Sequence, residues 1–351
     1  MSSSNLAELG WDSFFVQQFA ADSSSALIPV RIMNVQKSGL QVLGENIHAH
    51  IQLSGSDHEL HVTVGDWLLV DEQSHKIERL LERKSLFKRR APGSDRQEQF
   101  IAANVDTLFI VSSCNDDFNE ARLERYLAIA REAQVMVIII LTKADLAENS
   151  QEYVSRAARL APALTVEAVN SLQRENLDCL QPWLGNGQTV ALLGSSGVGK
   201  STLTNSLLGE QQLATQEIRE GDAKGRHTTT SRSMHHLPGG AWLLDTPGMR
   251  ELQLTDVKAG LDDVFAEISA LAAECKFADC GHEGEPGCAV NKAIKSGDIE
   301  QARLERWKKL VREEAHNSAS IAERRSRDKG FGRLIKSVLK EKNARKGGQA
   351  S

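Results

Sequence analysis

Every second residue of Ile47-His-Ala-His-Ile-Gln-Leu53 is apolar, the period of a strand with one buried face. Similar short pieces run Val30 to Val35, Leu40 to Leu43, His61 to Val64 and Trp67 to Val70, punctuated by Gly39, Gly44, Gly55 and Gly65. About five strands in roughly 55 residues predict a small barrel, and an OB-fold suits that spacing, although an SH3-like barrel has the same period. Beyond residue 104 the pattern changes. Thr107 to Val111 and Val135 to Leu141 are continuous apolar runs flanking the helix-like Glu120 to Arg131, a βαβ unit of a parallel sheet. Leu164 to Val169, Thr189 to Leu193 and Ala241 to Leu244 add further strands, and residues 262–316 read as helical segments around a cysteine cluster. The chain therefore divides into a leader (1–25), a barrel (26–83), a basic connector containing Pro and Gly (84–103), an α/β domain (104–258), a mainly helical domain (259–318) and a basic tail (319–351).

Composition adds limits. With 40% hydrophobic and 25% charged residues the chain is ordinary globular protein, and its longest apolar run, Val135 to Leu141, falls far short of a bilayer span. The start, Met-Ser-Ser-Ser-Asn, lacks a secretory pattern, so the expected location is the cytoplasm, with no membrane contact. The formal charge of −5 hides an asymmetry: residues 301–351 carry 15 basic against 6 acidic side chains, which leaves the preceding part at −14. A solvated helix and tail, or an RNA-facing tail, would both explain this. Five cysteines, an odd number, argue against a disulfide framework. Cys114 and Cys179, each beside apolar residues, are expected to be buried structural thiols.

Gly194-Ser195-Ser196-Gly197-Val198-Gly199-Lys200-Ser201, followed by Thr202, matches the full G-x-x-x-x-G-K-[ST] phosphate loop, with a buried strand before it and a helix former run after it. Glycines let successive backbone N–H groups point at phosphate oxygens at a helix N-terminus. Lys200 is expected to reach the β- and γ-phosphates and Ser201 to ligate Mg²⁺. Ala241-Trp-Leu-Leu-Asp245-Thr-Pro-Gly248 is a strand ending in Asp-x-x-Gly, where Asp245 would hold magnesium through water and the Gly248 N–H would approach the γ-phosphate. Between the two lies Gly225-Arg-His227-Thr228-Thr229-Thr230, in which Thr229, or its neighbour Thr228, is expected to complete the magnesium shell.

Thr142-Lys143-Ala144-Asp145 follows the apolar run ending at Leu141. An aspartate carboxylate there accepts both N1–H and the exocyclic amine of guanine, a pairing adenine does not offer. The tetrapeptide resembles the Asn-Lys-x-Asp guanine motif, with Thr142 in place of Asn, and Val169-Asn-Ser171 at the next strand end would add a backbone contact to the base. The usual GTPase order puts the phosphate loop first; here the guanine motif precedes it, so the domain is circularly permuted. A permutation keeps the sheet intact because its cut and its joined ends lie in surface loops.

Cys275, Cys280, His282 and Cys288 supply three thiolates and an imidazole, the Cys₃His set of a closed structural zinc site, with one Zn²⁺ expected per chain. Met249 stands where many GTPases have a glutamine that orients the attacking water. His227, in the threonine-rich loop, is the nearest candidate in sequence for a catalytic residue that positions water; a structural role in its loop, or an RNA contact, would account for it equally well.

Taken together, these motifs resemble the ribosome small-subunit-dependent GTPase A family over most of the chain. The resemblance implies a circularly permuted α/β P-loop GTPase domain, an N-terminal OB-like β-barrel and a C-terminal, mainly helical zinc-binding domain. It also implies GTP and GDP as ligands, the 30S ribosomal subunit and its 16S rRNA as partners, a role in late subunit maturation, and hydrolysis that is slow alone and faster on the subunit. The expected state is a monomer. An RNA-binding scaffold with a structural nucleotide is the alternative; an ATP-using enzyme is disfavoured by Asp145.

Overall fold

The computed structural model describes residues 5–20, 26–36, 38–53, 60–90, 98–209, 232–245, 249, 252 and 254–318. The barrel strands are β1 (Leu27–Gln36), β2 (Gly39–Gly44), β3 (Ile47–Ile51), β4 (Trp67–Asp71) and β5 (Ile77–Leu80). Long β1 pairs antiparallel with both β2 and β4, β2 with β3, and β4 with β5. Val30, Ile32, Leu40, Val42, Leu68 and Val70 fill its interior. The predicted alternation holds in β3, where His48 and His50 are exposed and Ile51 is buried. His61 to Val64 does not form the expected strand. Its backbone is diverted by the buried Asp66, whose carboxylate accepts the Thr63 N–H at 2.7 Å and pairs with Arg83 at 2.7 Å.

The leader region contains a helix, α1 (Ser13–Ala20), whose Phe15 is buried and packs with Trp11 against Trp67 of β4. Residues 84–103 hold an antiparallel hairpin, β6 (Leu86–Arg90) with β7 (Glu98–Ala103). The charged run Lys88-Arg89-Arg90 conceals this strand, because among its described side chains only Phe87 enters the core.

The α/β sheet is made of β8 (Thr107–Ser113), β9 (Met136–Thr142), β10 (Thr165–Ala168), β11 (Thr189–Leu193), β12 (Arg232–His236) and β13 (Trp242–Asp245). Five strands run parallel in the order β10-β9-β8-β11-β13, and β12 closes the edge antiparallel to β13. Strand β11 is thus central although three of its sheet partners precede it in the chain. Helices α2 (Glu120–Glu132), α3 (Ser150–Ala158) and α4 (Lys200–Leu208) accompany the sheet. Asn119 caps α2 by accepting the Arg122 N–H.

Strand β12 also pairs with β1, through Asn34 with Ser233 and Val35 with Arg232, so barrel and sheet are continuous. Arg31 sits at this junction, 2% exposed, donating to the carbonyls of Leu9 and Asn104 and to the Thr189 hydroxyl. Burial pushes its pKa down to about 10, opposed by Asp106 and Asp66.

The last region contains α5 (Lys258–Val264), α6 (Ala266–Ala273), α7 (Ala289–Ser296) and α8 (Gln301–Ser318). Gly260 lets α5 lie directly on α2: a Cβ there would meet the Ala128 carbonyl oxygen at 2.0 Å. Helix α8 buries Leu304 and Leu310 and half-buries Trp307 and Val311, the stripe of an amphipathic helix. Charge completes the joint. Glu124 of α2, wholly buried, accepts from Arg303 at 2.7 Å and Arg306 at 2.9 Å. None of the described helices is long and apolar enough to cross a membrane.

Candidate functional site

The glycine-rich loop leaves the end of β11, and only a glycine fits where it starts, since a Cβ on Gly194 would lie 2.3 Å from the Val111 carbonyl oxygen of β8. At its other end Gly199 adopts φ +89°, a left-handed value that favours glycine, and α4 begins at the next residue. The loop therefore curls over a helix N-terminus, whose unpaired N–H groups attract anions. Lys200 is largely buried and its ammonium donates to the Ser195 carbonyl. Ser201 and Thr202 occupy the first turn of α4, half-buried.

The end of β9 is tied to this loop. Thr142 is 1% exposed, and its Oγ1 lies 2.6 Å from the Val198 carbonyl oxygen and 3.1 Å from that of Ser112. A threonine hydroxyl thus braces the phosphate loop against β8 at the position where the motif has an asparagine. Lys143, with φ +58°, turns back across the loop and its ammonium donates to the Gly197 carbonyl at 3.0 Å. Ala144, Asp145 and Leu146 form a short 3-10 turn, with Asp145 exposed. The Ala144 N–H reaches the Val169 carbonyl and so holds the end of β10 against this turn.

Ser171, two residues beyond Val169, has a buried hydroxyl with no partner among the described residues, an unusual condition that a ligand or water would relieve. Leu146, in the aspartate turn, and Leu172, just beyond Ser171, are 76% and 79% exposed, apolar surface that no local pattern singles out. The sequence reading also missed Asp117 and Arg122. Arg122 Nη1 donates to Ser195 Oγ at 2.6 Å and to Asp117, and Ser195 Oγ donates to Asp117 Oδ2 at 2.8 Å. Against an opposing desolvation, the bonds from Ser195 and Arg122 hold the Asp117 carboxyl below its usual range. In sequence Asp117 and Asn119 signal only a helix start.

Strand β13 runs beside β11, with Leu244 opposite Ala191, which brings the backbone of Asp245 to the edge where the loop begins. His227, Thr228, Thr229 and Gly248 lie outside the described residues. Met249 is 2% exposed and belongs to the main hydrophobic core, so its side chain packs inward. Of the two other cysteines, Cys114 is buried as expected, and burial pushes its thiol up to about 11. Cys179 is exposed instead: it projects from a 3-10 segment, Arg174–Trp183, that buries Leu177 and Leu180.

Cys275, Cys280, His282 and Cys288 converge, their ligand atoms all within 4.8 Å of one another. Cys275 Sγ is 3.9 Å from Cys288 Sγ and 3.6 Å from His282 Nδ1, and His282 Nδ1 is 3.4 Å from Cys288 Sγ. Four ligands at the usual Zn–S and Zn–N lengths stand roughly 3.3–3.8 Å apart along a tetrahedron's edges, so the donor set fits a tetrahedral metal. The sulfurs are too far apart for a disulfide. Cys288 also caps α7, and Lys308 of α8 donates to the His282 carbonyl, which links the cluster to the helix that Glu124 ties to α2.

A phosphate loop on the central strand, braced by a guanine-type motif on a strand that comes earlier in the chain, defines a circularly permuted P-loop GTPase. Comparison with known proteins narrows this. Residues 80–255 match the profile described as RsgA GTPase. The small ribosomal subunit biogenesis GTPase RsgA 2 of Vibrio vulnificus is 49% identical over 337 residues, 96% of each chain. The small ribosomal subunit biogenesis GTPase RsgA of Mesorhizobium japonicum is 51% identical over 320 residues, 90% of this chain and 92% of that protein. The chain belongs to the RsgA GTPase family. Among solved structures, YjeQ from Thermotoga maritima aligns with a TM-score of 0.58 at 22% identity, covering 81% of this chain and 97% of that one. YloQ, described as a circularly permuted GTPase, aligns equally well at 21% identity, covering 85% and 98%.

Proposed function

We propose that this protein hydrolyses GTP to GDP and phosphate, binds the small (30S) ribosomal subunit through its 16S rRNA in the cytoplasm, and assists late maturation of that subunit as a monomer. The observation that carries this reading is the physical join of two motifs: Thr142 and Lys143 bond directly to the phosphate-loop carbonyls of Val198 and Gly197. One ligand would then span a purine site at Asp145 and a phosphate site at residues 194–202.

In this reading the Asp145 carboxylate pairs with the guanine edge, Ala144 belongs to the same turn, and the methylene stem of Lys143 lies along the base. The backbone N–H groups of Gly194 to Thr202 face the phosphates, and Lys200 leaves the Ser195 carbonyl to meet the β- and γ-oxygens. The hydroxyl of Ser201 beside the loop suits a hard cation, and Ser201, Thr229 and, through water, Asp245 would hold Mg²⁺. The ion neutralises phosphate charge when bound. Gly248 would approach the γ-phosphate, and His227 would position the attacking water, because Met249 points into the core. The Cys₃His centre would hold Zn²⁺ structurally, since its four donors leave no open position for substrate.

The test is single-turnover hydrolysis of GTP and ATP, with and without purified 30S subunits. Slow GTP turnover accelerated by the subunit, with ATP inert, supports the proposal. Nucleotide-bound protein that binds subunits yet never turns over GTP would make it an RNA-binding scaffold, and ATP turnover would overturn the guanine assignment.

A further inference from the structure

Ser195 is held at both ends. Its carbonyl accepts from Lys200, and its hydroxyl is gripped from outside the loop, accepting from Arg122 at 2.6 Å and donating to Asp117 at 2.8 Å. Arg122 and Asp117 also pair with each other at 3.0 Å, so the three side chains form a closed triangle. Both clamp residues come from the connection and first turn after β8, an element separate from the phosphate loop in sequence. Helix α2 is in turn anchored: Glu120 and Glu124, on either side of Arg122, are bound by Arg306 of α8. A cavity of about 380 Å³ opens beside the triangle, lined by Arg122, Ser195, Arg125, Arg306 and Leu252.

We infer that Arg122, with Asp117, is a positioning residue for the phosphate loop, acting through the Ser195 hydroxyl to hold the loop in its nucleotide-binding shape. This rests on the reading of residues 194–202 as a phosphate site. A charge-assisted hydrogen bond contributes enough to bias a loop between conformations, and apparent affinity falls in proportion to the fraction of competent loop. The clamp touches the loop's side chain and not the phosphates, so its loss weakens GTP and GDP alike. A residue that contacted the γ-phosphate would instead discriminate between them.

The experiment is a double-mutant cycle, Arg122→Ala with Ser195→Ala, read as the Kd of fluorescent GTP analogue and GDP, with Arg122→Lys as the conservative variant and Lys200→Ala as the control. Arg122→Ala is expected to raise both Kd values about tenfold, a size set by the charge-assisted bond. The double variant should be no weaker than Ser195→Ala alone, and Arg122→Lys should recover part of the loss. If the two effects multiply, if GTP alone is weakened, or if neither ligand is affected while Lys200→Ala abolishes binding, the clamp assignment is wrong. Should Lys200→Ala bind normally, the phosphate site itself is misassigned. Circular dichroism of each variant separates loss of the clamp from loss of the fold, and Ser195→Ala, a small change at a half-exposed position, keeps the test decisive if Arg122→Ala does not fold.

Discussion

Replacing Glu124 with Ala should release α8 from the GTPase domain. The carboxylate is wholly buried, and the two arginines it binds are only 11% and 19% exposed, so water screens this network little. Burial pushes the Glu124 pKa up, against the pull of Arg306 and Arg303. The intact network therefore contributes modestly overall, whereas truncating it leaves two guanidinium groups short of a partner. Removing one member of a buried pair costs about 3–5 kcal/mol. Both arginines retain partners, Arg303 with Glu267 at 2.9 Å and the Val264 carbonyl at 2.7 Å, Arg306 with Glu120 at 3.2 Å. The lower end, about 3 kcal/mol, is thus appropriate. Hydrogen exchange of the α8 amides around Leu304 and Leu310 should then accelerate roughly a hundredfold, at about 1.4 kcal/mol per factor of ten, with the β8 and β9 amides unchanged. Glu124→Gln, which keeps an acceptor, should give an intermediate value. Unchanged protection in α8 would refute the reasoning, because the helix would then be held by its apolar stripe alone.

Asp145→Asn should shift preference from GTP toward XTP, since xanthine presents a carbonyl where guanine has its amine; competition binding checks this, and full retention of GTP preference would remove Asp145 from the base site. Lys200→Ala should abolish single-turnover hydrolysis, because a main charge facing the transferred phosphoryl group is lost. Protein purified without chelator should contain about one zinc per chain by elemental analysis, and Cys280→Ala should lower that content and loosen residues 275–318, as metal affinity is coupled to folding.

The strands that carry the site were legible because they are buried on both faces. Thr107 to Val111 and Val135 to Leu141 read as continuous apolar runs, and they are β8 and β9. Short-range spacing likewise announced the phosphate loop and the Cys₃His cluster, which need their residues close together in sequence. Contacts across the sheet were hidden. Nothing local marks Arg122 as a partner of Ser195, 73 residues away, or Glu124 as the anchor of Arg303, 179 residues away. Strand β6 was hidden because Lys88 and Arg89, the residues that follow its buried Phe87, break the apolar pattern. The bracing by Thr142 was hidden for a different reason: whether a hydroxyl can replace an amide depends on where the Val198 carbonyl lies, which is a fact of three-dimensional packing.

If nucleotide state governs engagement of the small subunit, binding must be reciprocal: whatever factor the subunit adds to affinity for GTP over GDP, GTP must add to affinity for the subunit. Titrating 30S subunits with the protein loaded with a non-hydrolysable GTP analogue, and separately with GDP, measures that factor. Tighter binding in the GTP-analogue state, weakening steeply between two salt concentrations as the basic residues of 319–351 lose their phosphate contacts, is the expected result. Equal affinity in the two nucleotide states would contradict it.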